Sequence, residues 1–228
     1  MKLLVIEGLD GAGKSTQIGL LKSYLEKKGE KTKFLHFPRT EAPYWGELIS
    51  RFLRGEFGTA EEVDPYLVAM LYAGDRNDAA AQIRDWLKEG NVVILDRYTY
   101  SNVAYQCAKL KTKEEQTALR EWILDLEFNH FGIPRPIMNI FLDVPSRFTE
   151  AKLKSRRVGN DRKYLNGNSD IHEASIDFQM GVREVYLEIA RVDPCLEIIN
   201  CSSQGDQIMS PDDIFSFILN LLVKKDLL

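Results

Sequence analysis

The 228-residue sequence predicts an α/β fold: a doubly wound, five-stranded parallel sheet with helices on both faces. Three observations lead to it. The chain opens on a short apolar run, Leu3-Leu4-Val5-Ile6, of the kind found in strands buried on both faces, and a glycine-rich loop follows at once. Further apolar runs at residues 33–37, 92–95, 137–142 and 196–199 alternate with helical stretches at 14–28 and 65–88, and such alternation implies right-handed crossovers. The length and balanced apolar fraction suit one domain with a full core, and no repeat or linker divides the chain.

The elements follow in order. The first run and the helical pattern from residue 14 bracket the glycine-rich loop. The run at 92–95 leads into Leu95-Asp96-Arg97, at the carboxyl edge where doubly wound sheets bind ligands. Residues 156–173, RRVGNDRKYLNGNSDIHE, form a polar, basic stretch between two amphipathic helices and are expected to be a lid over the site. Residues 211–222 read as a closing amphipathic helix.

Composition excludes several classes. A net charge of −4, spread over many acids and bases, gives no general attraction to nucleic acid or an anionic membrane. Cys107, Cys195 and Cys201 are odd in number and lack metal-ligand spacing with histidine, which fits a reducing, cytoplasmic setting. No apolar stretch reaches the roughly 18 residues of a membrane span, and no signal-type leader is recognised. His36, His130 and His172 pair with no plausible nucleophile and are expected to be structural.

Gly8-Leu9-Asp10-Gly11-Ala12-Gly13-Lys14-Ser15-Thr16 satisfies the phosphate-loop pattern, between the strand and the helix that the pattern requires. Glycines let backbone N–H groups turn toward phosphate oxygens, and the helix N-terminus adds favourable potential. Lys14 reaches the terminal phosphates of ATP and Ser15 is placed to ligate Mg²⁺. Asp96 can organise the metal through its waters, while the planar fork of Arg97 suits a phosphate. The loop alone does not choose a reaction. The short chain and the lack of an N-K-x-D guanine motif favour a kinase over a switch.

The combination of GLDGAGKST, FPRT, YAGDR and DRYTYSNVAYQ resembles the thymidylate kinase family, in order from the first strand toward the lid helix. The resemblance implies ATP-dependent phosphorylation of dTMP with Mg²⁺ by a homodimer, while charge and hydropathy point to no nucleic-acid or membrane partner. It also implies that Asp10 receives the 3′-hydroxyl of the acceptor, that Arg39 and Arg97 bind its 5′-phosphate, and that Tyr72 and Arg76 meet the thymine. Ser101, Tyr105 and Gln106 match positions lining the base pocket. Gly11 stands where one style of the family has a catalytic arginine, so the lid is expected to supply that charge. Arg156, Arg157 and Arg162 are the candidates, Arg156 and Arg157 ahead of Arg162, with Tyr164 covering the nucleotide. An arginine on an apolar helix face, as at Arg76, also needs a partner if buried. The helix at 65–88 is the expected dimer face. Another nucleoside monophosphate or deoxynucleoside kinase, or a nucleotide-dependent switch without transfer, are the alternative readings.

Overall fold

The computed structural model describes residues 2–149, 165, 175–204 and 207–228. Five parallel strands form one sheet: β1 (Lys2–Gly8), β2 (Thr32–His36), β3 (Val92–Asp96), β4 (Met138–Asp143) and β5 (Leu196–Asn200). Their order is β2-β3-β1-β4-β5. Each expected strand is present, with no end displaced by more than two residues. The largest displacement matters most, because β1 continues past Ile6 and carries Glu7 into the sheet.

The sheet is buried from both sides, which is why its strands read as unbroken apolar runs. Leu4 and Ile6 of β1 pack with Ile140 and Leu142 of β4 against α1 (Lys14–Lys27) and the closing helix Pro211–Lys224. Leu3 and Val5 point the other way, with Val93 and Leu95 of β3, toward Ala79 and Ile83 of α3 (Pro65–Lys88). On that same face Phe141 meets Val103 of α4 (Thr99–Cys107) and Tyr186 of helix Ile176–Val192. The period-2 alternation of strand side chains thus assigns each residue to one of two apolar layers.

Local chemistry sets the helix starts. Asp64 accepts hydrogen bonds from the N–H groups of Tyr66 and Leu67, with Pro65 at the first helical position of α3. Thr112 and Glu115 form a reciprocal capping box at the start of α5 (Lys113–Asp125), and Ser210 caps the closing helix. Gly74 answers to packing rather than to a turn. A Cβ there would lie 2.5 Å from the ring of Trp45, so its absence lets α2 (Trp45–Leu53) close on α3.

Register brings the ligand-facing ends together. Ile6 and His36 both align with Asp96, so the carboxyl ends of β1, β2 and β3 meet at one edge.

Candidate active site

The phosphate loop joins β1 to α1. Gly11 and Gly13 have φ of 78° and 84°, a left-handed conformation that costs a Cβ-bearing residue but not glycine. Leu9 and Ala12 are buried and anchor the loop to the apolar layers on either side. Gly13 caps α1 without a side-chain hydrogen bond, and the first turn holds no acid. The leading N–H groups are therefore open to an anion, in contrast with the capped helices elsewhere.

Lys14 is buried, with Nζ 3.4 Å and 3.3 Å from the carbonyl oxygens of Gly8 and Leu9 and 3.8 Å from Asp96 Oδ1. Burial, and then the nearby Arg97 charge, lower its pKa below the usual lysine value. Burial would raise Asp96, but Lys14, His36 and Arg97 outweigh it and hold the carboxyl below its ordinary range. His36 Nδ1 lies 3.2 Å from Asp96 Oδ2. The residue that sequence reasoning treated as structural thus borders the site. Ser15 and Thr16 are exposed at the start of α1.

Arg97 follows β3 directly and has φ of 67°, a strained value for a side-chain-bearing residue. Its Nη2 donates to Asp10 Oδ1 at 2.8 Å and to the Tyr105 hydroxyl at 3.1 Å, and its Nη1 donates to Ser101 Oγ at 3.1 Å. The Tyr105 hydroxyl in turn donates to Asp10 Oδ2 at 2.9 Å. Four residues predicted to share the acceptor are therefore in one hydrogen-bonded group beside the loop. Ser101 and Tyr105, four apart in α4, share one helix face, while Arg97 reaches them from the end of β3 and the loop brings Asp10 to the group.

The other predicted acceptor residues sit in separate settings. Arg39 Nε donates to Asp75 Oδ1 at 2.8 Å and its Nη2 to Asp78 Oδ2 at 2.5 Å. Arg76 is buried, and the partner that burial requires is Glu127, reached by Nε and Nη2 at 2.6 Å each. Glu127 also accepts from Thr99 and Asn102. Tyr72 packs with Ile49, Phe52, Leu53 and Val68. Gln106 is 1% exposed, and among the described residues neither of its amide atoms has a hydrogen-bond partner. Arg156, Arg157, Arg162 and Tyr164, with the rest of the expected lid apart from Leu165, lie outside the described residues.

Sequence reasoning missed Glu7, Glu127, Gln179 and Tyr186. Gln179 Nε2 donates to Asp10 Oδ2 at 3.5 Å, and Glu7 and Tyr186 lie beneath Ser101. These partners are 94 to 179 residues apart in the chain from Glu7, or 169 in the case of Asp10 and Gln179, so no local spacing betrays them.

A parallel sheet with a phosphate loop after β1, a buried lysine in it and an arginine-carboxylate group at the adjoining strand end defines a phosphate-loop kinase. The family model described as thymidylate kinase matches residues 6–210. A probable thymidylate kinase of Thermococcus onnurineus is 32% identical over 227 residues, which cover 97% of this chain and 99% of that one. The thymidylate kinase of Mycobacterium tuberculosis is 31% identical over 188 residues, 82% of this chain and 85% of its own. A solved thymidylate kinase from Candida albicans superposes with a TM-score of 0.71 at 26% identity, covering 99% of this chain and 92% of that one. The chain belongs to the thymidylate kinase family, and it is a nucleoside monophosphate kinase.

Proposed function

We propose that the enzyme transfers the γ-phosphoryl group of ATP to the 5′-phosphate of dTMP, giving dTDP and ADP for dTTP synthesis. The observation that carries the reading is the bond between Asp10 and Arg97, which joins the phosphate loop to an acceptor cluster with the polarity a deoxynucleotide needs. Lys14, Ser15 and the amides from Gly8 to Thr16 hold the donor phosphates. Arg97 takes the acceptor phosphate and Asp10 the 3′-hydroxyl. Arg39 supplies a second fork once the exposed Asp78 releases it. Tyr72 stacks on the base and Arg76 donates to its edge, with Ser101, Tyr105 and Gln106 around them. Arg162 binds ATP, Tyr164 covers the nucleotide, and Arg156 or Arg157 stabilises the transferred charge from the lid.

The acceptor phosphate is already anionic, so no general base is needed and the chemistry rests on alignment and charge. Asp96 and Ser15 fit a magnesium ion. Asp96 Oδ1 is buried without a hydrogen-bond partner among the described residues, and Ser15 is exposed at the start of α1. No group of three potential metal-binding side chains exists among the described residues, as suits an ion carried mainly by phosphates and water. Held there, Mg²⁺ would neutralise charge on the donor phosphates. The residues here align the two phosphates.

The proposed assembly is a homodimer through α3, which exposes Leu67 and Met70 on one face. No helix among the described residues is long and apolar enough to cross a membrane. The three cysteines are free, in keeping with the proposed cytoplasmic setting. The assignment is tested by coupled ADP release with dTMP, dUMP, UMP, dCMP and AMP as acceptors. Highest kcat/KM for dTMP is expected, and preference for a ribonucleotide or a cytosine acceptor would overturn it.

A further inference from the structure

We infer that Glu7 is a positioning residue that holds Arg97 in its phosphate-binding pose. The inference rests on the reading of Arg97 given above. Glu7 lies one residue before the phosphate loop, is fully buried and has no proposed contact of its own with substrate. Its Oε1 accepts from the Tyr98 N–H at 3.0 Å, which pins the backbone immediately after the strained φ of Arg97. Its Oε2 accepts from Ser101 Oγ at 2.5 Å and from the Tyr186 hydroxyl at 2.8 Å. Ser101 Oγ in turn accepts from Arg97 Nη1. One carboxylate therefore grips Arg97 twice, through the peptide that follows it and through the hydroxyl that receives its guanidinium.

The polarity of this chain requires a carboxylate. Ser101 and Tyr186 each have one hydroxyl hydrogen, and both can be given to Glu7, leaving Ser101 lone pairs for Arg97. Burying a carboxylate is costly, and that cost pushes Glu7 above the usual carboxylate range. Three donors and the nearby Arg97 charge offset only part of it. Phe141 and Tyr186 stack with centroids 4.3 Å apart, in an apolar layer where a hydrocarbon side chain would pack without that cost. An amide in place of the carboxylate would aim an N–H either at the Tyr98 N–H, which cannot accept it, or at the Ser101 and Tyr186 hydroxyls, which would have to reorient and so disturb the oxygen that receives Arg97.

The test is a kinetic double-mutant cycle with Glu7→Gln, Tyr186→Phe and Arg97→Lys, each checked for folding by its thermal transition. Glu7→Gln should lower kcat/KM for dTMP on the order of tenfold to a hundredfold, because misplacing an aligning group costs that much, while KM for ATP stays within about twofold. Tyr186→Phe, which keeps the stacked ring, should give a smaller loss of the same kind. In an Arg97→Lys background Glu7→Gln should cost little more. Multiplicative losses in the double variant, or equal losses toward ATP and dTMP, would overturn the inference. If Glu7→Gln does not fold, Tyr186→Phe combined with Arg97→Lys decides by the same criterion. An Arg97→Lys variant with undiminished dTMP use would instead overturn the reading of Arg97 itself.

Discussion

Arg76 and Arg97 are both buried arginines bound to carboxylates, yet their surroundings suit them to different ligands. Arg76 and Glu127 are closed off, with side chains 2% and 0% exposed, and Thr99 and Asn102 complete the carboxylate's partners. Its charge is neutralised before any ligand arrives, so what remains to offer is a polarised N–H for a neutral carbonyl. Arg97 shares its charge with Asp10, whose side chain is 23% exposed, and its other partners are hydroxyls. Such a pair can reorganise around a dianion. Buried ion pairs are poor evidence of stability gained, but breaking one of them from one side is costly. The two sites should therefore fail differently when disturbed.

The largest effect is expected at the open pair. Arg97→Ala should reduce kcat/KM for dTMP about a thousandfold, the scale of a lost charge-assisted phosphate clamp, and lower the folding midpoint less than loss of Arg76 does, because Asp10 is partly exposed to water. Steady-state kinetics beside a thermal melt measures both. Arg76→Met should behave in the opposite way. It leaves Glu127 buried with only neutral donors and should destabilise the fold by about 3–5 kcal/mol in a denaturant titration. Arg76→Met with Glu127→Leu should recover much of that loss. A double variant as unstable as the single one would mean that Glu127 has other structural duties. Asp10→Ala comes next, weakening use of dTMP roughly tenfold to a hundredfold while ATP binding changes little. An unchanged dTMP response would remove Asp10 from the acceptor site.

A partly buried lysine sharpens the contrast because its amine meets no carboxylate among the described residues. Lys109 Nζ lies 4.9 Å from the Phe52 ring centroid, without a hydrogen-bond partner among the described residues, and burial pushes its pKa down to about 7. The unfolded chain, with an ordinary lysine pKa near 10.4, binds more protons than the folded chain between these values. Stability should consequently rise as pH increases from about 7 toward 10, by at most about 1.4 kcal/mol per pH unit from this group. Lys109→Met should remove that rise. Denaturant midpoints at several pH values decide the matter, and an identical pH dependence in both proteins would place the amine in water.

Much of this was legible because it is local. The phosphate loop is contiguous and made largely of backbone, so the glycines, Lys14 and Ser15 could be read in place. The strands could be read from apolar runs, and α3 from its 24-residue span. Ser101 and Tyr105 share a helix face through their spacing of four, whereas Arg97 reaches them from the strand end. Glu7 was hidden because the apolar run stops at Ile6, and a lone carboxylate at the end of a strand gives no sign of burial. Glu127 reads as an ordinary acid near a helix end, yet it lies in a π-helical turn, Leu126–His130, that directs it inward to Arg76. Arg39 could be found from its motif, but Asp75 and Asp78, which hold it, belong to a different element. His36 faces Asp96 through strand register, which the sequence does not display.

The division of labour between the two arginines is tested most directly by calorimetric affinities for dTMP and for thymidine, which differ only in the phosphate. The wild-type protein should prefer dTMP strongly, Arg97→Ala should lose most of that preference, and the Arg76→Met, Glu127→Leu double variant should keep it while binding both ligands more weakly. Retention of the full dTMP preference by Arg97→Ala would contradict the account.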